Sequence, residues 1–173
     1  MITNEKMRFG FWPNPRSDYK STRILAQHAE TTGWDGIWLA DHFLPEEDAL
    51  IPVHESWITL AALARDIPRV RLGTLVTGNT YRHPAVLANM VATLDNLADG
   101  RVVLGLGAGW QQNEHDAYGI EYGTVSSRLD MLEEACQVLR GLFQNDYFNF
   151  DGQHYQLKNA PLEPKAQQAK IPL

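Results

Sequence analysis

Four apolar runs, at residues 7–12, 36–40, 70–76 and 102–106, are each followed by a stretch of different spacing, and this repeat constrains the fold more than any other feature. A period of roughly 30 residues is the length of a strand plus a crossover helix, which parallel strands need because each must be re-entered from the same edge. The first run ends at Pro13-Asn14-Pro15, where proline removes ladder donors. Ser17 or Asp18 can then cap a helix carrying Ile24, Leu25, His28 and Ala29 on one face, with Gly33 as a left-handed stop. A second helix from Glu55 places Trp57, Leu60, Ala61 and Ala64 three and four apart and ends near Pro68. The third opens at Pro84, carries Leu87, Met90, Val91, Leu94 and Leu97 in one stripe, and closes at Asp99-Gly100. Ser127 begins a long helix presenting Leu129, Leu132, Ala135, Cys136, Leu139 and Leu142, and Asp151-Gly152 between two aromatic runs signals a hairpin.

These units predict an α/β protein with a parallel sheet. Periodicity does not separate a barrel from an open doubly wound sheet, because both alternate strand and helix and both gather their sites at the carboxyl ends of strands. Charge narrows the partners. A formal net charge of -6 leaves no basic stripe, which argues against nucleic acid and anionic membranes and for a small organic molecule. Cys136 is the one cysteine, so no internal disulfide is expected, and residues 1–6 lack the apolar core of a signal peptide. No run approaches the ~18 apolar residues of a membrane span. A cytoplasmic location is expected.

The second run leads into Asp41-His42-Phe43 at the edge where ligands bind in parallel α/β folds. A carboxylate beside an imidazole suits proton exchange near neutral pH, although Asp41 could equally cap the loop while His42 is solvated. Beyond the fourth run lies Gly105-Leu106-Gly107-Ala108-Gly109-Trp110, whose missing side chains allow close approach to the backbone. It is not the dinucleotide fingerprint G-x-G-x-x-G, since position 110 is Trp and the turn follows the fourth run instead of the first. Asn113 and Glu114 could bond a ligand ring or cap the short segment that follows. Thr77-Gly78-Asn79-Thr80 and Tyr81-Arg82-His83-Pro84 offer a helix start with a cation, read either as an anion site or as ordinary capping. His42, Glu46, Glu47, Asp48, His54 and Glu55 crowd one loop without the spacing of a zinc or calcium site, and no G-x-S-x-G elbow occurs. No metal is expected.

Several blocks occur in order: Ala40-Asp41-His42-Phe43, Glu55-Ser56-Trp57, Val70-Arg71-Leu72-Gly73-Thr74-Leu75-Val76-Thr77, Tyr81-Arg82-His83-Pro84, and Gly100-Arg101 leading to the glycine-rich turn and Glu114-His115-Asp116-Ala117-Tyr118-Gly119. Together they resemble the luciferase-like oxidoreductases of the bacterial luciferase superfamily, in the branch that uses the deazaflavin coenzyme F-420 (F420). The resemblance implies the N-terminal half of a TIM (β/α)8 barrel, about four βα units plus a small β-hairpin, and hydride transfer between F420 and an organic substrate. By the family pattern His42 would be the acid–base residue. Asp41, Thr77, Gly78, Ala108, Gly109 and Asn113 would meet the coenzyme, Trp12 and Asn14 the substrate. A non-prolyl cis peptide would fall near Leu75-Val76 against the ring. An FMN-dependent monooxygenase is the alternative within the family.

Family members run beyond this length, so residues 1–173 are expected to be a single partial barrel domain that stops before a fifth strand and its glycine-rich phosphate loop. Such a chain would pair as a homodimer or with a complementing half-barrel. A non-catalytic half or fragment that acts only when paired is the competing expectation.

Overall fold

A computed structural model of the chain describes residues 7–46 and 50–173. Its strands β1 (Gly10–Phe11), β2 (Gly36–Leu39), β3 (Arg71–Thr74) and β5 (Val102–Val103) form one parallel sheet in that order, and β4 (Thr77–Gly78) pairs with β6 (Leu106–Gly107) beyond it. The third run thus forms β3, with β4 just past its end, and the fourth is split between β5 and β6. The first is shorter than its apolar length predicts, because pairing with β2 involves only Gly10 and Phe11.

Helices α1 (Tyr19–Thr32), α2 (Ser56–Asp66), α3 (Pro84–Leu97) and α5 (Val125–Gln144) accompany the strands, and the short α4 (Gln112–Tyr118) follows β6. Asp18 caps α1 by accepting from the Ser21 amide, and Gly33 closes it at φ 87°. The expected face of α1 is corrected: Thr22, Ala26 and Ala29 are buried, while Ile24 and Leu25 are exposed. The buried residues also stand four and three apart, and their small side chains let the helix lie close to its neighbours; ranking the positions by apolar bulk picks the wrong stripe. His83 accepts from the Ala85 amide before Pro84, the first residue of α3. The start of α5 precedes Ser127 because Thr124 and Ser127 close a reciprocal capping box.

Ile37, Leu72, Val102 and Leu104 pack in one core with Leu60 and Leu63 of α2, Leu87 and Val91 of α3, and Leu139 and Leu142 of α5. Trp38, next in β2, sits over Gly10, Gly36 and Gly73, which leave room for its indole. Strands β7 (Tyr147–Asp151) and β8 (Gln156–Pro161) form the expected antiparallel hairpin, with Phe148 seated against Gly141 of α5. Asn79, just after β4, donates to the Tyr155 hydroxyl at 3.2 Å, so the hairpin braces the carboxyl end of the third unit. Among the described residues no helix is long and apolar enough to cross a membrane.

Candidate active site

The residue after β2, Ala40, leads to Asp41, whose side chain is 0% exposed. Both carboxylate oxygens are engaged. Arg82 donates to them at 2.6 and 2.9 Å, Ser56 Oγ to Oδ1 at 2.8 Å and the Gly78 amide to Oδ2 at 3.2 Å. Arg82 also meets Glu55 at 2.7 Å. Burial pulls the guanidinium down, but Asp41 and Glu55 outweigh it and hold Arg82 above its ordinary value. The arrangement ties the end of β2 to the start of α2 and to β4. It also decides the reading of Arg82: with two carboxylates on it and His83 capping α3, the helix start is an ordinary cap and an ion pair.

Glu114, on α4, is likewise fully buried. Its Oε1 accepts the amides of Phe43 and Leu44 at 2.5 and 2.8 Å, while Oε2 meets His42 Nδ1 at 3.0 Å and accepts from the Tyr81 hydroxyl. Burial pushes this carboxyl up, yet the His42, Leu44, Tyr81 and Phe43 hydrogen bonds prevail and hold it below the usual range. Tyr81 is pushed well above its ordinary value by burial and by the carboxylate, so its phenol remains a donor. Gln111 and Asn113 donate to the Leu44 and Pro45 carbonyls at 3.0 and 2.8 Å, so α4 and its cap residue clamp residues 43–45, just after His42. His115, also buried, bridges the Gln111 carbonyl and Thr80 Oγ1 at 2.8 and 2.7 Å.

Between β3 and β4 the Leu75–Val76 peptide is cis, at the position the resemblance indicates. Both side chains are exposed, toward a cavity of about 240 Å³ that Trp12, His42, Gly109 and Trp110 also line, with Asp41, Thr77, Gly78 and Tyr81 at its wall. A second cavity of about 170 Å³ adjoins it, lined by Leu44, Pro45, Val53 and the Arg16 side. Trp12, Ala40, His42 and Trp110 border both. The His42 and Trp110 rings stand edge to face with centroids 5.5 Å apart.

The structure therefore gathers Trp12, Asp41, His42, Leu75, Val76, Thr77, Gly78 and Gly109 around one cavity. Three expected residues stand apart. Ala108 is half-buried in the same turn without lining either cavity, and the Asn113 amide is turned to Pro45. Asn14 Oδ1 accepts from the Arg16 amide at 2.9 Å and borders a separate small cavity with Ser17 and His54. Ser56 and Gln111 join the site without a local sequence signal, and Tyr81 and Trp110, each at the edge of a motif but with no role of its own there, join it as well. Among the described residues no group of three or more His, Cys, Asp or Glu could hold a metal ion; Glu47 and Asp48 of the crowded loop lie outside them.

Parallel strands in chain order, β1-β2-β3-β5, with helices packed on the sheet and loops gathered at the carboxyl ends, fit a segment of an α/β barrel protein. The chain belongs to the luciferase-like monooxygenase family, whose model matches residues 6–173. It is 37% identical over 83% of its length to an F420-dependent glucose-6-phosphate dehydrogenase of Amycolatopsis mediterranei, covering 43% of that protein. An F420-dependent hydroxymycolic acid dehydrogenase of Mycobacterium tuberculosis is 35% identical over 79% of this chain and 39% of its own. The fold superimposes with a TM-score of 0.88 on an F420-dependent secondary alcohol dehydrogenase in complex with an F420-acetone adduct, at 29% identity, covering 97% of this chain and 51% of that one. The chain spans about half the length of the relatives it matches.

Proposed function

We propose that the protein carrying this chain transfers a hydride between coenzyme F420 and an organic substrate, with His42 exchanging the accompanying proton. The observation that carries this reading is the position of His42, which borders both adjoining cavities, so that ligands in the two would meet beside its ring. The larger cavity fits a flat ring system: Leu75 and Val76 offer an apolar face, and Gly78 and Gly109 leave backbone open to close approach. Leu75, Val76, Thr77, Gly78 and Gly109 would hold the coenzyme there. Asp41 acts on that wall through Gly78 and Arg82, and Asn113 acts through the Pro45 loop. Trp12, Leu44, Val53 and Trp110 would enclose the substrate in the smaller cavity, with Asn14 shaping the loop behind it. When bound, a deazaflavin supplies a two-electron hydride carrier.

The names of the relatives, F420-dependent dehydrogenases at 37% and 35% identity, support this cofactor over FMN. We further infer that residues 1–173 are one partial barrel domain of a cytoplasmic protein that pairs as a homodimer or with a complementing half-barrel. The share of the relatives that is covered supports the first part, and light scattering reads the second. Fluorescence titration of the purified protein with F420 and with FMN tests the cofactor. Saturable F420 binding is expected, and FMN binding without F420 binding overturns it. The His42→Ala variant should bind F420 within about threefold of the parent and lose ~10²–10⁴ in the rate of F420 reduction, the range of general acid–base catalysis. Equal rates in the two would remove the role given to His42.

A further inference from the structure

We propose that Glu114 is the positioning residue that fixes the tautomer of His42, holding the proton on Nδ1 and leaving Nε2 as the only ring nitrogen able to exchange one with a substrate. It rests on His42 being the proton-exchanging group. A carboxylate shut away from water must find its donors inside the protein, and Glu114 has four: the Phe43 and Leu44 amides on one oxygen, His42 Nδ1 and the Tyr81 hydroxyl on the other. An ionised carboxylate only accepts hydrogen bonds, so the nitrogen facing it must carry the hydrogen. In the neutral ring the lone pair then falls on Nε2. Among the described residues nothing hydrogen-bonds Nε2, while the ring as a whole borders both cavities. Tyr81, kept protonated by its burial and the adjacent charge, donates its own hydrogen to the same carboxylate and so leaves that oxygen ionised and facing the ring.

The two oxygens divide the work. Oε1 secures the loop through the two amides; Oε2 faces the imidazole. Replacement by glutamine separates the two tasks. In Glu114→Gln the new side-chain carbonyl can keep the Phe43 and Leu44 amides, but the NH₂ group then points at His42 and can only donate. His42 must turn its lone pair to Nδ1 and carry its hydrogen on Nε2. A buried carboxylate sets the histidine tautomer in serine proteases by the same logic, and the amide replacement there costs ~10⁴ in kcat.

Long-range ¹H–¹⁵N spectra of ¹⁵N-histidine-labelled protein, with His42→Asn assigning the resonance, read the tautomer directly. The parent should show His42 as Nδ1–H, and Glu114→Gln should convert it to Nε2–H while F420 affinity changes by less than about threefold, since Glu114 itself lines neither cavity. Tyr81→Phe should retain Nδ1–H, because the carboxylate still faces the ring. An Nε2–H tautomer in the parent overturns the proposal, and so does an unchanged tautomer in Glu114→Gln. The parent spectrum decides even if the glutamine variant fails to fold. Turnover surviving in His42→Ala would remove the role of His42 while leaving the tautomer result standing, so the two readings fail separately.

Discussion

Arg82 grips Asp41 with both terminal nitrogens, at 2.6 and 2.9 Å, across 41 residues of sequence. Asp41 is shut from water and Arg82 largely so, with side-chain exposures of 0% and 12%. In Asp41→Ala the guanidinium keeps Glu55 at 2.7 Å, so the cost should fall below the ~3–5 kcal/mol of a charge left wholly unpaired, at about 1–3 kcal/mol for the lost charged hydrogen bonds. Asp41→Ala should therefore lower the unfolding free energy by that amount, read as a lower urea midpoint at unchanged slope, and weaken F420 binding only through the shifted Gly78 wall. Unaltered stability in this variant would show that the carboxylate is free for a ligand.

His42 and Trp110 form the boundary between the two cavities, ring against ring at 78°. Trp110→Ala removes that partition and the edge-to-face contact, worth ~0.5–1.5 kcal/mol, while Glu114 still holds His42 from the other side. A folded variant is expected in which the Michaelis constant for substrate rises more than the F420 dissociation constant. Steady-state kinetics beside fluorescence titration checks this; a selective loss of F420 affinity would place Trp110 on the coenzyme.

The repeat that governs the architecture was legible because strand and helix periods are local properties, and so were the caps at Asp18 and Pro84 and the hairpin at Asp151-Gly152. The site was legible only in part. Arg82 reads from sequence as a spare cation, since its two carboxylates lie 41 and 27 residues away. Glu114 stayed undecided between ligand and cap for the same reason: its partner His42 is 72 residues distant. The break at Leu75–Val76 came from family resemblance, as no hydropathy pattern encodes a peptide isomer. Burial on α1 misled because small residues carry the helical stripe and bulky ones point outward.

Gly105 lies between β5 and β6, where an added Cβ would run into the Thr74 carbonyl. That carbonyl belongs to the neighbouring strand's backbone and cannot swing aside as a side-chain tip could, and Thr74 Oγ1 itself donates to the Gly105 carbonyl at 2.9 Å. Gly105→Ala should cost about 1–3 kcal/mol by overpacking and loosen the β4–β6 pairing beside the cavity. Amide exchange at Thr77, whose N–H bonds the Gly105 carbonyl at 2.8 Å, reports the loosening. Exchange at Thr77 as slow as in the parent would contradict it.

Glu134 of α5 accepts three consecutive amides of the hairpin turn, from Gln153, His154 and Tyr155, at 2.8, 2.9 and 3.0 Å. Its slight burial pushes the carboxyl up, but the amides of His154, Gln153 and Tyr155 outweigh this and hold it below the ordinary 4.5. A group depressed on folding favours the native state fully above its unfolded value, and that contribution disappears as pH falls through the folded value. Docking of the hairpin on α5 should thus be constant from neutral pH down to about 4.5 and weaken only below it. In Glu134→Gln the amide accepts fewer hydrogen bonds and carries no charge, so the turn should be looser at neutral pH and lose its acid response. Hydrogen exchange at residues 153–155 across the acid range measures both effects. An acid response that persists in Glu134→Gln would assign the pH dependence to another group, with Glu114, the buried carboxylate of the site that is also held low, the next to replace.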